Sequence, residues 1–147
     1  MPDLRALLNN PDLKVVLAGV GNLLRNDDGV GPYISNRLQT KKNRIIVTPE
    51  AGIDRYISTI NNENPDLLII IDCVEMGLPA GSWKVIPVSD VLDTTCHSHN
   101  VSLQKLSCFF NTRIFIIAIQ PANIDVGEIF SPPVMQAASE IIECINN

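Results

Sequence analysis

Three runs of aliphatic, mostly β-branched residues constrain the fold of this chain more than any other feature of its sequence. They occupy positions 14–20, 67–71 and 113–119, and each is apolar on both faces instead of alternating between apolar and polar side chains. A strand of this kind is stable where helices cover both sides of its sheet, which is the usual situation in parallel sheets. We therefore expect these three runs to be central strands of a parallel sheet.

The segments between these strands have the spacing of amphipathic helices. Apolar residues recur every four positions within 29–38, and Asp27 or Asp28 stands where the N-cap of that helix belongs. The remaining expected elements are helices at 2–9, 54–61, 102–110 and from 132 onward, a strand at 44–48 that Pro49 ends, and an edge strand at 82–88. This alternation predicts one domain over 1–147, a three-layer α/β/α fold with a mostly parallel twisted sheet and one antiparallel edge strand.

The charge balance and the cysteines exclude several functional classes. Eleven basic and sixteen acidic residues give a net charge of −5, so a nucleic-acid partner, which requires clustered Lys and Arg, is not expected. No apolar run approaches the roughly 20 residues of a membrane span, and residues 1–5 do not open a signal peptide. No CxxC pair occurs, and we interpret Cys73, Cys108 and Cys144 as small core residues. We expect a cytoplasmic monomer without membrane insertion.

Reactive side chains are expected after the strands, because in open α/β sheets they gather at the carboxyl ends of the strands. The glycine-rich loop after the first strand has Leu24 where a dinucleotide-binding fingerprint needs a small residue. The adjacent Asp27 and Asp28 would also repel a pyrophosphate. A helix cap accounts for one of these aspartates but not for both. A carboxylate at the start of a helix stays ionised, which suits a metal ligand.

Asp72 and two histidines are the other candidate ligands. Asp72 ends the most apolar strand, where it is either a turn-forming residue or a carboxylate that projects at the edge of the sheet. A polar segment later in the chain holds Cys96, His97 and His99, and a solvated loop is the alternative to a metal or thiol site there. If Asp28, Asp72 and His99 converge, they form an open site that suits nickel or zinc with modest affinity.

These segments together resemble the motifs of the hydrogenase maturation endopeptidases. Residues 19–24 followed by 27–31 are similar to the opening motif of that family, and 70–72 and 99–103 are similar to its second and third motifs. The sequence Ile119-Gln120-Pro121 is similar to a later Gln-Pro turn. The resemblance runs in register from about Lys14 to the C-terminal helix. Residues 48–52 stand in place of an Asp-Gly-Gly-like turn of the family, so we expect the choice of precursor to differ.

The resemblance implies an endopeptidase that removes the C-terminal extension of the large-subunit precursor of a nickel–iron hydrogenase after nickel insertion. Nickel, the expected metal, would be carried by the substrate and contacted only transiently. By position, Asp28, Asp72 and His99 match the metal-contacting residues of the family. The resemblance further suggests that substrate is bound by Asn22, Glu50, Gly52 and Gln120.

The catalytic type stays open at this point. Neither a Ser-His-Asp order nor an HExxH motif occurs, which disfavours an ordinary serine or zinc peptidase. We expect Asp27 and Asp28 to be catalytic, with either a metal-activated water or a carboxylate base, for which Asp27 is the candidate. The alternative function is a nickel-binding accessory protein for hydrogenase assembly that uses the same ligands without proteolysis.

Overall fold

The computed structural model of the chain describes residues 3–90 and 103–147. Within these residues, five strands and five α-helices follow one another along the chain. The helices are α1 Leu4–Leu8, α2 Val30–Ser35, α3 Ile57–Asn62, α4 Leu103–Ser107 and α5 Pro132–Asn146. The strands are β1 Val15–Val20, β2 Arg44–Glu50, β3 Leu67–Cys73, β4 Trp83–Pro87 and β5 Arg113–Ile119. Among the described segments, no helix combines the length and the hydrophobicity that a membrane crossing needs.

The strands form one sheet in the order β2-β1-β3-β5-β4. Four of them are parallel, and β4 pairs with β5 in the antiparallel direction at one edge. The predicted fold class is thereby confirmed. The chain leaves β1 toward β2 on one side and leaves β3 toward β5 on the other. The strand order therefore reverses between β1 and β3, which is the place where open α/β sheets form ligand crevices.

Both faces of the sheet are covered, as the apolar runs predict. Alternate residues such as Leu17 and Ile69 pack on one side in a core that includes residues of α1, α2 and α5. Their neighbours, such as Val16 and Leu68, pack on the other side with residues from the α3 and α4 segments. All four side chains are completely buried, and each burial stabilises the fold by about 1.5–3 kcal/mol. A rigid core thus fixes the carboxyl ends of β1 and β3.

Several local predictions are wrong. Asp27 and Asp28 do not cap α2, because they lie within the 3-10 turn Asn26–Gly29 that precedes it. The N-cap residue of α2 is Gly29, so no side chain caps this helix. Strand β2 continues through Pro49, because β2 is an edge strand and the missing N–H of a proline can face outward there.

Two further corrections concern β3 and a cysteine. Asp72 lies inside β3 and is fully buried, not in a turn after the strand. Cys73 is buried and Cys144 half-buried, but Cys108, one residue after the end of α4, is exposed and is therefore not a core residue. Cys96 lies outside the described residues.

Candidate functional site

Asp28 and Asp72 lie at the same edge of the sheet. The 3-10 turn that carries Asp28 contacts β3, the strand that carries Asp72. Gly31 makes this approach possible: a Cβ at this position would overlap the carbonyl oxygens of Val20 and Ile71 at the ends of β1 and β3. Both carboxylates are completely buried. Two of the predicted metal-contacting residues therefore lie on neighbouring elements, at the end of the sheet where the strand order reverses.

The loop after β1 is folded back on itself and holds Asp28 in place. The backbone N–H of Asn22 donates to Oδ2 of Asp28 at 3.0 Å. Gly21 has a φ of +146°, and a Cβ there would overlap the carbonyl oxygen of Asp28. Gly21 belongs to the glycine-rich loop that was compared with a dinucleotide-binding fingerprint. Here it allows the backbone to pack closely around Asp28.

Asp72 points to the face of the sheet that Ile70 also faces, because side chains two residues apart along a strand share a face. Leu106 of α4 belongs to the core on that same face. His99, the third predicted ligand, precedes α4 by four positions and lies outside the described residues, as does His97. In the parts of the chain that are described, no group of three or more His, Cys, Asp or Glu residues could hold a metal ion. The site that can be described consists of the two carboxylates.

Asp27, the adjacent acid, has a different environment from Asp28. Its Oδ2 accepts hydrogen bonds from the N–H groups of Ala122 and Asn123, both at 2.9 Å, and from Oγ of Ser131 at 2.7 Å. Its Oδ1 accepts from the N–H of Ser131 at 2.7 Å. Asp27 is completely buried, and Ser131, the N-cap residue of α5, makes no side-chain bond to its own helix. The Asp27 carboxylate therefore connects the 3-10 turn to the loop between β5 and α5.

Asn26 extends this connection, and sequence reasoning missed it. Its side-chain Nδ2 donates to the carbonyl of Asp125 at 2.9 Å, and its Oδ1 accepts from the N–H of Ile129 at 3.0 Å. Its backbone has a φ of 47°, a conformation that asparagine tolerates better than most residues. An asparagine before two acids is the only sequence signal for this role. Asn26 and Asp27 together form what we call the loop clamp.

Gln120, predicted to bind substrate, is buried and has intramolecular partners at both ends of its amide. Oε1 accepts from the N–H of Met76 at 2.6 Å, and Nε2 donates to Oε2 of Glu75 at 2.8 Å. Only 4% of the residue is exposed. This geometry fixes the segment that follows β3 and Asp72.

The other expected substrate-binding residues line two adjoining clefts. Asn22 and Glu50 line the first, of about 400 Å³, together with Leu23, Leu24 and Glu128 among others. Glu50 also lines the second, of about 390 Å³, together with Gly52. The first cleft reaches Asn22, whose N–H holds Asp28. A chain lying in this cleft would therefore end close to the candidate metal-contacting carboxylate.

Comparison with known proteins agrees with this architecture. A sequence model of the family described as hydrogenase maturation protease matches residues 30–147, a range that contains Asp72 but begins after Asp27 and Asp28. The hydrogenase 3 maturation protease of Escherichia coli is 26% identical over 136 residues, which are 88% of this chain and 85% of the relative.

Two solved structures share the fold. A nickel–iron hydrogenase maturation protease from Thermococcus kodakarensis has a TM-score of 0.82 at 21% identity, covering 98% of this chain and 99% of that one. The hydrogenase maturating endopeptidase HybD from E. coli has a TM-score of 0.74 at 20% identity, covering 89% and 88%.

Proposed function

Because this chain belongs to the hydrogenase maturation protease family, we propose that it removes the C-terminal extension of the large-subunit precursor of a nickel–iron hydrogenase, and that it recognises nickel already seated in that precursor. The family and the curated relatives support a peptidase in general terms. Recognition of nickel and removal of the C-terminal extension are the specific parts of the proposal.

The observation that carries the proposal is the position of Asp28 and Asp72: the turn that carries Asp28 contacts β3, which carries Asp72, and both side chains are buried. Asp28 lies in the 3-10 turn after β1, and Asp72 lies near the end of the adjacent strand β3. Two buried carboxylates so placed are typical of a site that accepts a cation together with hydrogen-bond donors. Oxygen ligands from the protein leave coordination positions for ligands from the precursor, and an imidazole from His99 would complete a set that suits nickel. A site of this kind binds the metal through its carrier, so the precursor delivers nickel as part of the substrate.

Nickel contact would place the tail of the precursor in the first cleft, beside Asn22 and Glu50. Hydrolysis then requires water to add to the scissile carbonyl carbon, followed by cleavage of the C–N bond and protonation of the leaving amine. Asp28 is linked to the cleft by its hydrogen bond from the N–H of Asn22, a residue that lines the cleft, and in this proposal it orients the nickel and the water. We assign Asp28 and Asp72 to nickel contact and Asp28 to catalysis.

The environment of Asp27 supports a positioning role and not that of general base. To accept a proton from water, its carboxylate would have to release at least one of four buried donors, and each lost bond to a charged group costs about 1.5–3 kcal/mol. We therefore propose that Asp27 orients the turn that carries Asp28. Gln120 would act in the same manner on the segment after Asp72.

The proposal is tested by incubating the purified chain with nickel-loaded and nickel-free precursor and determining the masses of the products. Loss of a C-terminal fragment from the loaded precursor alone is the expected result. Asp28→Asn and His99→Ala are expected to abolish cleavage while the chain stays folded, whereas Asp12→Asn, an exposed acid before β1, should cleave normally. Equal cleavage of both precursors would contradict nickel recognition.

The alternative function, a nickel-binding accessory protein, gives a different result in the same experiment. No fragment would be released, and equilibrium dialysis would show tight retention of nickel by the isolated chain. The proposed peptidase instead retains nickel weakly, because the proposed ligands Asp28, Asp72 and His99 include none of the thiolates that hold soft metals.

A further inference from the structure

Exposed apolar side chains are concentrated on two segments beside the first cleft. Leu23, Leu24, Val126 and Ile129 are 38%, 61%, 89% and 77% exposed, and they are four of the six exposed large hydrophobic residues in the described parts of the chain. We call these four residues the apolar rim. Apolar residues gathered in this way on a soluble surface mark a contact site more often than scattered ones do.

The two segments are bonded to each other, so the rim is held in a fixed arrangement. The N–H of Gly127 donates to the carbonyl of Leu24 at 2.9 Å, and the N–H of Asn26 donates to the carbonyl of Gly127 at 2.8 Å. The side chain of Asn26 also accepts from the N–H of Ile129. A loosely held loop could turn such side chains inward, whereas this backbone keeps them displayed. A preformed surface of this kind loses little conformational freedom when a partner binds.

The rim is continuous with the cleft and with the candidate site. Leu23 and Leu24 line the first cleft together with Asn22, and Asn22 holds Asp28. The loop clamp joins the other half of the rim to the same 3-10 turn. A macromolecule that placed a chain in the cleft would therefore cover the rim at the same time.

The charges around the rim identify the kind of partner. Three exposed carboxylates lie beside it: Glu50 and Glu128 line the first cleft with the rim leucines, and Asp125 precedes Val126. Two arginines are also near, Arg25, with its Nε donating to the carbonyl of Ile124, and Arg55, which lines the second cleft, so carboxylates outnumber cations there. A second copy of this chain would bring the same acidic groups face to face, and an anionic membrane would be repelled as well. The complementary partner is a protein surface that is apolar at its centre and basic at its border.

We propose that the apolar rim is a docking surface for the folded body of the precursor, next to the point where its C-terminal tail enters the cleft. This inference rests on the proposed function and deepens it. In this proposal, the rim contacts parts of the precursor that do not react. It therefore stabilises the enzyme–substrate complex and the transition state by the same free energy. Loss of such uniform binding raises KM and leaves kcat unchanged.

The test is the double variant Val126→Ser with Ile129→Ser, measured with nickel-loaded precursor. We expect KM to rise about tenfold with kcat unchanged, and KM of the wild type to rise with salt concentration because the border is charged. Phe109→Ser is the matched control: Phe109 is 61% exposed and precedes β5, at the opposite edge of the sheet. The KM of the Phe109→Ser variant should equal that of the wild type.

An unchanged KM in the double variant overturns the proposal, and so does a wild-type dimer that the double variant dissociates in sedimentation experiments. Failure of the proposed function gives another result, since the wild type would then not cleave the precursor. In that case, calorimetric titration with the precursor tests the docking surface without cleavage. Tenfold weaker binding by the double variant than by the wild type supports docking. Equal binding by the two proteins, or no binding by the wild type, refutes it.

Discussion

Replacement of Asp27 by asparagine is expected to destabilise the chain by about 3 kcal/mol, although the two side chains have almost the same shape. The reason is the environment of Asp27, which is completely buried and accepts four hydrogen bonds. Three of them converge on Oδ2, which only an anionic oxygen does well. The substitution removes one acceptor and the negative charge but leaves all four donors in place.

The magnitude follows from these bonds. If the amide oxygen of asparagine replaces Oδ2, three bonds persist, each weakened by about 1 kcal/mol because the acceptor is no longer charged. The N–H of Ser131 then faces an amide N–H instead of Oδ1, which costs a further 1–3 kcal/mol or so. Part of this sum is recovered, because a neutral amide is cheaper to bury than a carboxylate. A net loss of about 3 kcal/mol corresponds to a decrease of about 10 °C in melting temperature.

Urea unfolding followed by the fluorescence of Trp83, the single tryptophan, measures this loss as a lower midpoint with an unchanged slope. Asp125→Asn is the control, since it removes an exposed carboxylate from the same loop and should change stability by less than about 0.5 kcal/mol. If Asp27→Asn were as stable as the control, the four bonds would not contribute as described and the positioning role of Asp27 would be refuted.

Two further substitutions test the contacts that position the carboxylates. Gly31→Ala should lower the free energy of unfolding by about 3 kcal/mol and abolish processing, because the added methyl group displaces the turn from the sheet. Gly77→Ala is the control: its Cβ meets open space, and its φ of +68° should cost only about 1 kcal/mol. Thermal unfolding measures both values. Gln120→Met should lower stability by about 2 kcal/mol and slow precursor cleavage, because Met76 and Glu75 lose their partner. The exposed Gln136→Met should change neither measurement.

The sheet could be predicted from the sequence because its cause is local. Strands apolar on both faces and the amphipathic spacing between them specify a covered parallel sheet wherever the strands are placed. The continuation of β2 through Pro49 could not be predicted in this way, since a proline is tolerated there only because the strand order leaves β2 at an edge. Strand order is a property of the whole chain.

The candidate site could be predicted in its location but not in the contacts of its side chains. The sheet topology brings Asp28 and Asp72 to one edge, as expected of residues that follow or end adjacent strands. The different environments of Asp27 and Asp28 could not be predicted from the sequence. The two residues are identical neighbours, and contacts with residues 122–131 distinguish them only in the folded chain. The role of His99 remains a prediction from sequence.

The loop clamp also has a consequence for the order of folding. The donors that Asp27 receives come from residues 95 to 104 positions further along the chain. Closing loops of this length is slow, and the entropy lost is recovered only when the late segments arrive. During synthesis, the turn that carries Asp28 therefore stays unsupported until β5 and the start of α5 have left the ribosome. A chain shortened before Ser131 should accordingly be inert toward any substrate, even though β1 and β3 are complete.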